Sequence, residues 1–289
     1  MHSATSSLTS LGLPLDLAPE AFGELRATAE RHLTPTDLRE RMSEDGYLYL
    51  PGLLEREQVL DVHRWVTARL AQGGNRQSSH ELARDNAPLA RLLYAGKLIE
   101  FFEKFLGGPV KPFDHTWFRA VPGGGHGTCP HCDIVYMGRG TFNLFTAWVP
   151  VGDVPLDVGG LMILENSHRQ AGLSHYLQRD VDEYCTNRQD APAIESGTKT
   201  WQDWDGRLSS DPVTLRAKLG GRWLSTNFQA GDVLTFGMAT VHASLDNQSN
   251  RFRLSSDSRY QLASEPADPR WTGANPVGHG PAGKIGKIC

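Results

Sequence analysis

Hydrophobic positions recur along this chain with two different periods. Up to about residue 108 the period is helical: Val59, Val62, Val66 and Leu70 form one stripe, and Leu98, Phe101, Phe102 and Phe105 form another. Gly73-Gly74 and Gly107-Gly108 end these runs. Thr34 ahead of Pro35, with Asp37 in the first turn, marks a helix start. Such stripes predict faces packed against a sheet. Beyond residue 109 the apolar runs shorten and become aromatic or β-branched, as in Phe113 to Val121, Asp232 to Phe236 and Phe252 to Tyr260, with breakers such as Pro122-Gly123-Gly124-Gly125 between them. Short strands separated by glycine turns predict a mainly β fold with flanking helices, a double-sheet jelly roll with both sheets antiparallel.

The 289 residues are enough for one domain with a sizeable core. Within it, residues 1–30 read as a flexible arm and 266–289 as a tail rich in Gly and Pro. Residues 169–230 read as an insertion carrying Tyr176, Tyr184, Trp201, Trp204 and Trp223. Two readings of that insertion stay open, a lid over a binding site or an excursion pinned to the barrel by its aromatics.

Composition narrows the partners. A net charge of −4 without a basic stripe argues against nucleic acid. No apolar stretch approaches the roughly 20 residues of a membrane span. Met1 to Leu15 lacks the basic and apolar regions of a signal peptide, so the expectation is a cytoplasmic protein. Four cysteines, at 129, 132, 185 and 289, are expected to stay reduced there. Cys129-Pro130-His131-Cys132 has the C-x-x-C spacing but no second pair to complete a zinc site.

Candidate chemistry centres on His131-Cys132-Asp133, followed far downstream by His242 and Arg253. On a strand, His131 and Asp133 would share a face, and His242 would complete a two-His, one-carboxylate set. Such a set occupies one face of an octahedral metal and leaves the other positions open, as non-haem Fe(II) oxygenases require. Arg253 follows His242 by eleven residues, the distance of a returning hairpin. Its guanidinium suits the distal carboxylate of 2-oxoglutarate, bound through two parallel hydrogen bonds. Arg253, Ser255, Asp257 and Arg259 share one parity, so Arg259 is a rival anchor unless it pairs with Asp257. His126 reads as a loop residue outside the set.

At these residues the chain resembles the phytanoyl-CoA hydroxylase family of Fe(II)/2-oxoglutarate dioxygenases. The resemblance extends through Glu44 to Gly52, Thr146 to Pro150, Gly159 to His168 and Gly231-Asp232, covering roughly residues 35 to 260. Glu165-Asn166 replaces the Pro-Gly usual in the third segment. It implies a cupin-like double-stranded β-helix, with Fe(II) held by His131, Asp133 and His242. It also implies 2-oxoglutarate and O2 as co-substrates, with release of succinate and CO2. Ser244 and Trp148 match co-substrate-pocket positions, and Tyr136, Arg139, Thr141 and Asn143 follow the stretch that runs along the substrate pocket. The resemblance does not imply a particular substrate. A hydrolase or isomerase on the same barrel, or a metal-keeping binding protein, are the readings of other classes.

Overall fold

The computed structural model describes residues 7–73, 79–201 and 203–289. Residues 1–6 of the expected arm, and Gly74 of the expected helix stop, lie outside them. In chain order, β1 (Thr9–Ser10) and β2 (Leu13–Pro14) pair with each other, and β3 (Phe22–Glu24) follows. Helix α1 (Pro35–Asp45) then leads into β4 (Tyr47–Leu50). Four helices come next, α2 (Arg56–Gly73), α3 (Ser79–Ala83), α4 (Ala87–Tyr94) and α5 (Lys97–Leu106). Strands β5 (Val110–Pro112) and β6 (Trp117–Val121), the single turn α6 (Ile134–Met137), β7 (Phe145–Pro150) and β8 (Leu161–Leu164) carry the chain into the barrel. Next are α7 (Ser174–Leu177), β9 (Glu183–Cys185), α8 (Ala191–Glu195), α9 (Pro212–Leu219) and β10 (Trp223–Ser225). The last strands are β11 (Val233–Gly237), β12 (His242–Ser244), β13 (Arg253–Leu262) and β14 (Ile285–Lys287).

Two sheets form the barrel. The larger runs β4-β11-β7-β13-β5, with β6 also paired to β13; the smaller runs β12-β8-β10-β3. Alternation along the strands assigns their faces. Tyr47, Tyr49, Trp148, Leu234 and Phe236 turn inward, against Leu161, Ile163 and Leu224 of the facing sheet. Leu48, Leu50, Ala147, Val149, Val233 and Tyr260 turn outward onto the helical stripes, where Val59, Val62 and Val66 are fully buried. Phe102 stacks on Tyr260 with ring centroids 4.2 Å apart. The helix start at Thr34 is a capping box: its hydroxyl accepts the Asp37 N–H, and the Asp37 carboxylate accepts the Thr34 N–H at 2.7 Å.

Four expectations change. The arm is built into the barrel from residue 7: β3 pairs in parallel with β10, so the smaller sheet is mixed rather than antiparallel. Leu8, Leu15 and Leu25 are buried, and Asp246 receives the N–H groups of Leu11 and Gly12. The insertion ends before Trp223, because β10 sits between β8 and β3. A three-residue strand is too short for its period to show.

The tail folds back over the barrel. Its buried Arg270 pairs with Asp180 at 3.0 Å, Asp182 at 2.6 Å and Asp268 at 2.6 Å, while Lys284 reaches Asp182 at 2.6 Å. β14 pairs in parallel with β9, and Cys185 is disulfide-bonded to Cys289, against the expectation of reduced thiols; Cys129 and Cys132 are free. No helix among the described residues is long and apolar enough to cross a membrane.

Candidate metal centre

His131 and His242 are direct cross-strand partners. Each accepts the other's backbone N–H at 3.0 Å, in an isolated antiparallel bridge beside β12. Side chains of such a pair project from one face, and the imidazole centroids lie 4.1 Å apart. Asp133 arrives differently from the expected strand alternation. Its backbone is already helical (φ −66°, ψ −26°) ahead of α6, so a turn rather than a pleat brings the carboxylate round. The Ile134 N–H, bonded to the Met238 carbonyl at 3.1 Å, pins that turn. Cys132 between them faces away, buried, with its thiol on the Ala239 carbonyl at 3.3 Å.

The ligand atoms converge. Asp133 Oδ1 lies 3.8 Å from His131 Nε2 and 3.7 Å from His242 Nε2. Each Nδ1 is engaged elsewhere, on the Cys129 carbonyl at 2.8 Å and the Thr240 carbonyl at 3.1 Å. A ring donating from Nδ1 keeps the Nε2 lone pair free, the tautomer a metal needs. Burial, then the neighbouring His242, pushes His131 down to about 3; burial also lowers His242. Both rings are therefore neutral near pH 7. Burial alone would raise the Asp133 carboxyl, yet Arg259 and the two imidazoles hold it well below the usual carboxylate range. Two neutral nitrogens and one ionised oxygen fit a divalent iron.

Behind the triad, Asp133 Oδ2 accepts from the Thr146 hydroxyl and from Arg259 Nη2 at 3.0 Å. Arg259 also binds Asp257 at 2.6 Å and lies 4.0 Å over the Trp117 ring. Arg259 is thus committed to orienting the Asp133 carboxylate. Arg253 is not: it is buried, its Nε has no hydrogen-bond partner among the described residues, and no ion pair there engages it. Burial, then Arg119, lowers it to about 10, still charged at neutral pH. It lines an inner cavity between the sheets with His131, His242, Trp148, Thr146 and Phe236. Trp148 Nε1 and Ser255 Oγ are likewise buried without partners. A cavity lined by charged and polar side chains, with the orphaned donors Arg253 Nε and Trp148 Nε1 on lining residues, is built for a polar ligand.

An outer cavity of about 430 Å³ opens from this one, and His131, Arg119, Thr128 and Arg259 line both. Trp117, Tyr136, Met137, Trp201, Asp205, Arg207 and His279 complete its wall. The insertion and the tail therefore both reach the site. His279 is held by Asp182, which accepts from its Nδ1 at 2.7 Å, and its ring meets Tyr136.

Of the sequence-derived substrate residues, only Tyr136 lines this cavity. Arg139 turns away, to Asp180 at 2.6 Å and the Gly283 carbonyl at 2.7 Å, where it ties the insertion to the tail. Thr141 and Asn143 both bind Glu265. Arg139→Ala is accordingly expected to lower Tm by roughly 2–6 °C in differential scanning fluorimetry; an unchanged Tm with a raised substrate KM would restore a substrate role. Ser244 accepts the Thr128 N–H at 2.7 Å and is not among the inner-cavity residues. His126 is exposed, as expected of a loop histidine. Sequence reasoning missed Arg119, Thr128, Arg207 and His279. Only Arg119 carried a signal, as a lone cation within an aromatic strand.

A His-Asp-His triad able to hold one metal ion, inside a double-stranded β-helix and beside an arginine without an ion pair among the described residues, fits a mononuclear non-haem iron oxygenase. Residues 42–255 match the family model described as phytanoyl-CoA dioxygenase, and the chain belongs to that family. It is an oxidoreductase, a dioxygenase dependent on Fe(II), 2-oxoglutarate and O2. Among curated relatives, 1-deoxypentalenic acid 11-beta-hydroxylase of Streptomyces exfoliatus is 26% identical over 245 residues, covering 76% of this chain and 79% of the relative. Solved structures include EctD from S. alaskensis, at TM-score 0.60 and 16% identity over 95% of this chain and 94% of that one. The alpha-ketoglutarate-dependent carbocyclase SnoK from nogalamycin biosynthesis superposes at TM-score 0.59 and 17% identity, over 87% and 92%. At those identities the likeness is one of fold.

Proposed function

We propose that His131, Asp133 and His242 hold the iron, that Arg253 anchors the distal carboxylate of 2-oxoglutarate, and that the enzyme hydroxylates a small-molecule metabolite seated in the outer cavity. The observation that carries this reading is a neutral–neutral–anionic triad whose two histidines line the same inner cavity as Arg253, a buried arginine with no ion pair among the described residues. When bound, iron and co-substrate together activate O2, release succinate and CO2, and supply the oxidant for an unactivated C–H bond.

The protein's own part is positional. Arg259 and the Thr146 hydroxyl occupy Asp133 Oδ2, which leaves Oδ1 for the metal. Cys129 and Thr240 carbonyls fix the imidazole tautomers. Arg253 sets the direction of the co-substrate, and Trp148 Nε1 on the same cavity wall offers it a further donor. Trp117, Tyr136 and Trp201 give the substrate an aromatic wall and exclude water from the reacting side. The insertion, through Trp201, Asp205 and Arg207, acts as a lid over that wall. The curated relative's name, a hydroxylase of a small acid, supports hydroxylation as the outcome.

The test is anaerobic titration of the metal-free protein with Fe(II) and then 2-oxoglutarate. A visible charge-transfer band is expected in the parent, and in Arg253→Ala at roughly 100-fold higher co-substrate concentration, as loss of a charge-assisted pair costs about 2–3 kcal/mol. A band formed by Arg253→Ala at the parent's concentration would remove Arg253 from the role. Iron bound with no band would bring forward a hydrolase, isomerase or binding protein on the same barrel.

A further inference from the structure

We propose that the substrate is an anion, a carboxylate or an equivalent singly charged group, and that Arg119 anchors it. This rests on the iron and 2-oxoglutarate reading above and follows from the charges that line the two cavities. Four arginines and three aspartates face them. Arg207 closes on Asp205, its Nε 2.8 and 2.7 Å from the two carboxylate oxygens. Arg259 is matched by Asp257 at 2.6 Å, and Arg253 by the distal end of 2-oxoglutarate. The two charges of Fe(II) meet Asp133 and the other carboxylate of the co-substrate. Among the described residues that line the cavities, every charge then has a counterpart of its own except Arg119.

Arg119 does touch an acid, since its Nη1 lies 3.0 Å from Asp257 Oδ1. That carboxylate is already engaged through Oδ2 by Arg259, so it is shared between two cations. The Arg119 side chain retains about a third of its exposure, against 6% for Asp257 and 4% for Arg259, so water completes its solvation while the outer cavity is open. Substrate entry removes that water, and a cation losing its solvent without a counter-ion is costly. An anionic group on the substrate meets that cost, and a neutral one does not. Location agrees with charge. Arg119 is on β6, opposite Ser255 in register, and lines both cavities with His131. A carboxylate held there lays the rest of the molecule along Trp117 and Tyr136, beside the metal. Trp201 Nε1, buried without a partner on the same wall, is a second donor for it.

The test uses anaerobic enzyme loaded with Fe(II) and 2-oxoglutarate, and matched probes of one skeleton each: 1-adamantanecarboxylate with 1-adamantanecarboxamide, and 2-naphthoate with 2-naphthamide. Binding is read from the change each probe makes to the charge-transfer band. Acids are expected to bind at least ~10-fold more tightly than their amides, the preference collapsing toward parity in Arg119→Gln and persisting in Arg119→Lys. The band itself, formed before any probe is added, reports that each variant is folded and loaded. Amides binding as well as acids, neither series perturbing the band, or a preference that survives Arg119→Gln, would overturn the proposal while leaving the iron reading intact. Absence of the band in the parent would instead remove the reading on which it rests.

Discussion

His242→Ala is expected to abolish both the charge-transfer band and 2-oxoglutarate turnover, with a loss of at least ~1,000-fold in succinate release. Two ligands cannot hold a labile divalent ion in an open site, and the lost imidazole is one of only two nitrogens. Folding should survive, because the backbone bridge between residues 131 and 242 uses N–H and C=O groups that alanine retains. The cavity left beside Phe236, whose ring lies 4.4 Å from the imidazole, costs less than the lost iron. Circular dichroism should therefore match the parent while metal content, measured by inductively coupled plasma analysis, falls to background. Retention of stoichiometric iron in His242→Ala would show that the metal binds elsewhere.

Arg259→Leu is expected to be the most destabilising change near the site, and for a reason separate from metal loss. Arg259 and its partners Asp133 and Asp257 are almost wholly buried, at 4%, 2% and 6% side-chain exposure. Removing one member of a buried charge cluster leaves the other charges uncompensated, which costs about 3–5 kcal/mol. Asp133 also loses the group that chiefly keeps it ionised, so iron affinity should drop by roughly 10–100-fold. Because the metal binds only the folded chain, added Fe(II) should restore part of the lost Tm in the variant. A variant as stable as the parent, or one whose Tm ignores iron, would mean that Arg259 does not brace the ligand carboxylate.

The same strand shows why part of the site is legible in a sequence. Arg253, Ser255, Asp257 and Arg259 alternate with Leu254, Ser256, Ser258 and Tyr260, so parity alone assigns the first set to the barrel interior. Spacing suggests a returning hairpin between His242 and Arg253, but β12 and β13 lie in opposite sheets, and the two residues meet across the barrel interior instead. Parity does not say which interior arginine is free. That depends on Asp133 reaching Arg259 from 126 residues away, a contact with no trace in local pattern. Tyr136 and Arg139 illustrate the same limit. Both follow the metal ligand within a few residues, yet one turn of α6 sends Tyr136 into the cavity and Arg139 toward Asp180.

Most of the outer cavity was beyond such reasoning, which names only Tyr136 and, within the insertion, Trp201 as candidates for its wall. Its wall is assembled from β6, the segment 127–137, Arg259, the insertion and the tail, the last two joined by the Arg270–Asp182 cluster and the Cys185–Cys289 bridge. Local pattern, read as periods of two and 3.6 and as turn residues, gave the main strands and the helical stripes, while motifs gave the family and the candidate metal triad. Tertiary structure alone decided that a turn delivers Asp133, that Arg259 is committed to Asp133 while Arg253 is not, and that His279 of the tail reaches the site. Periodicity reports only which face a side chain occupies; its charge partners are chosen by long-range register, where burial makes every uncompensated ion costly.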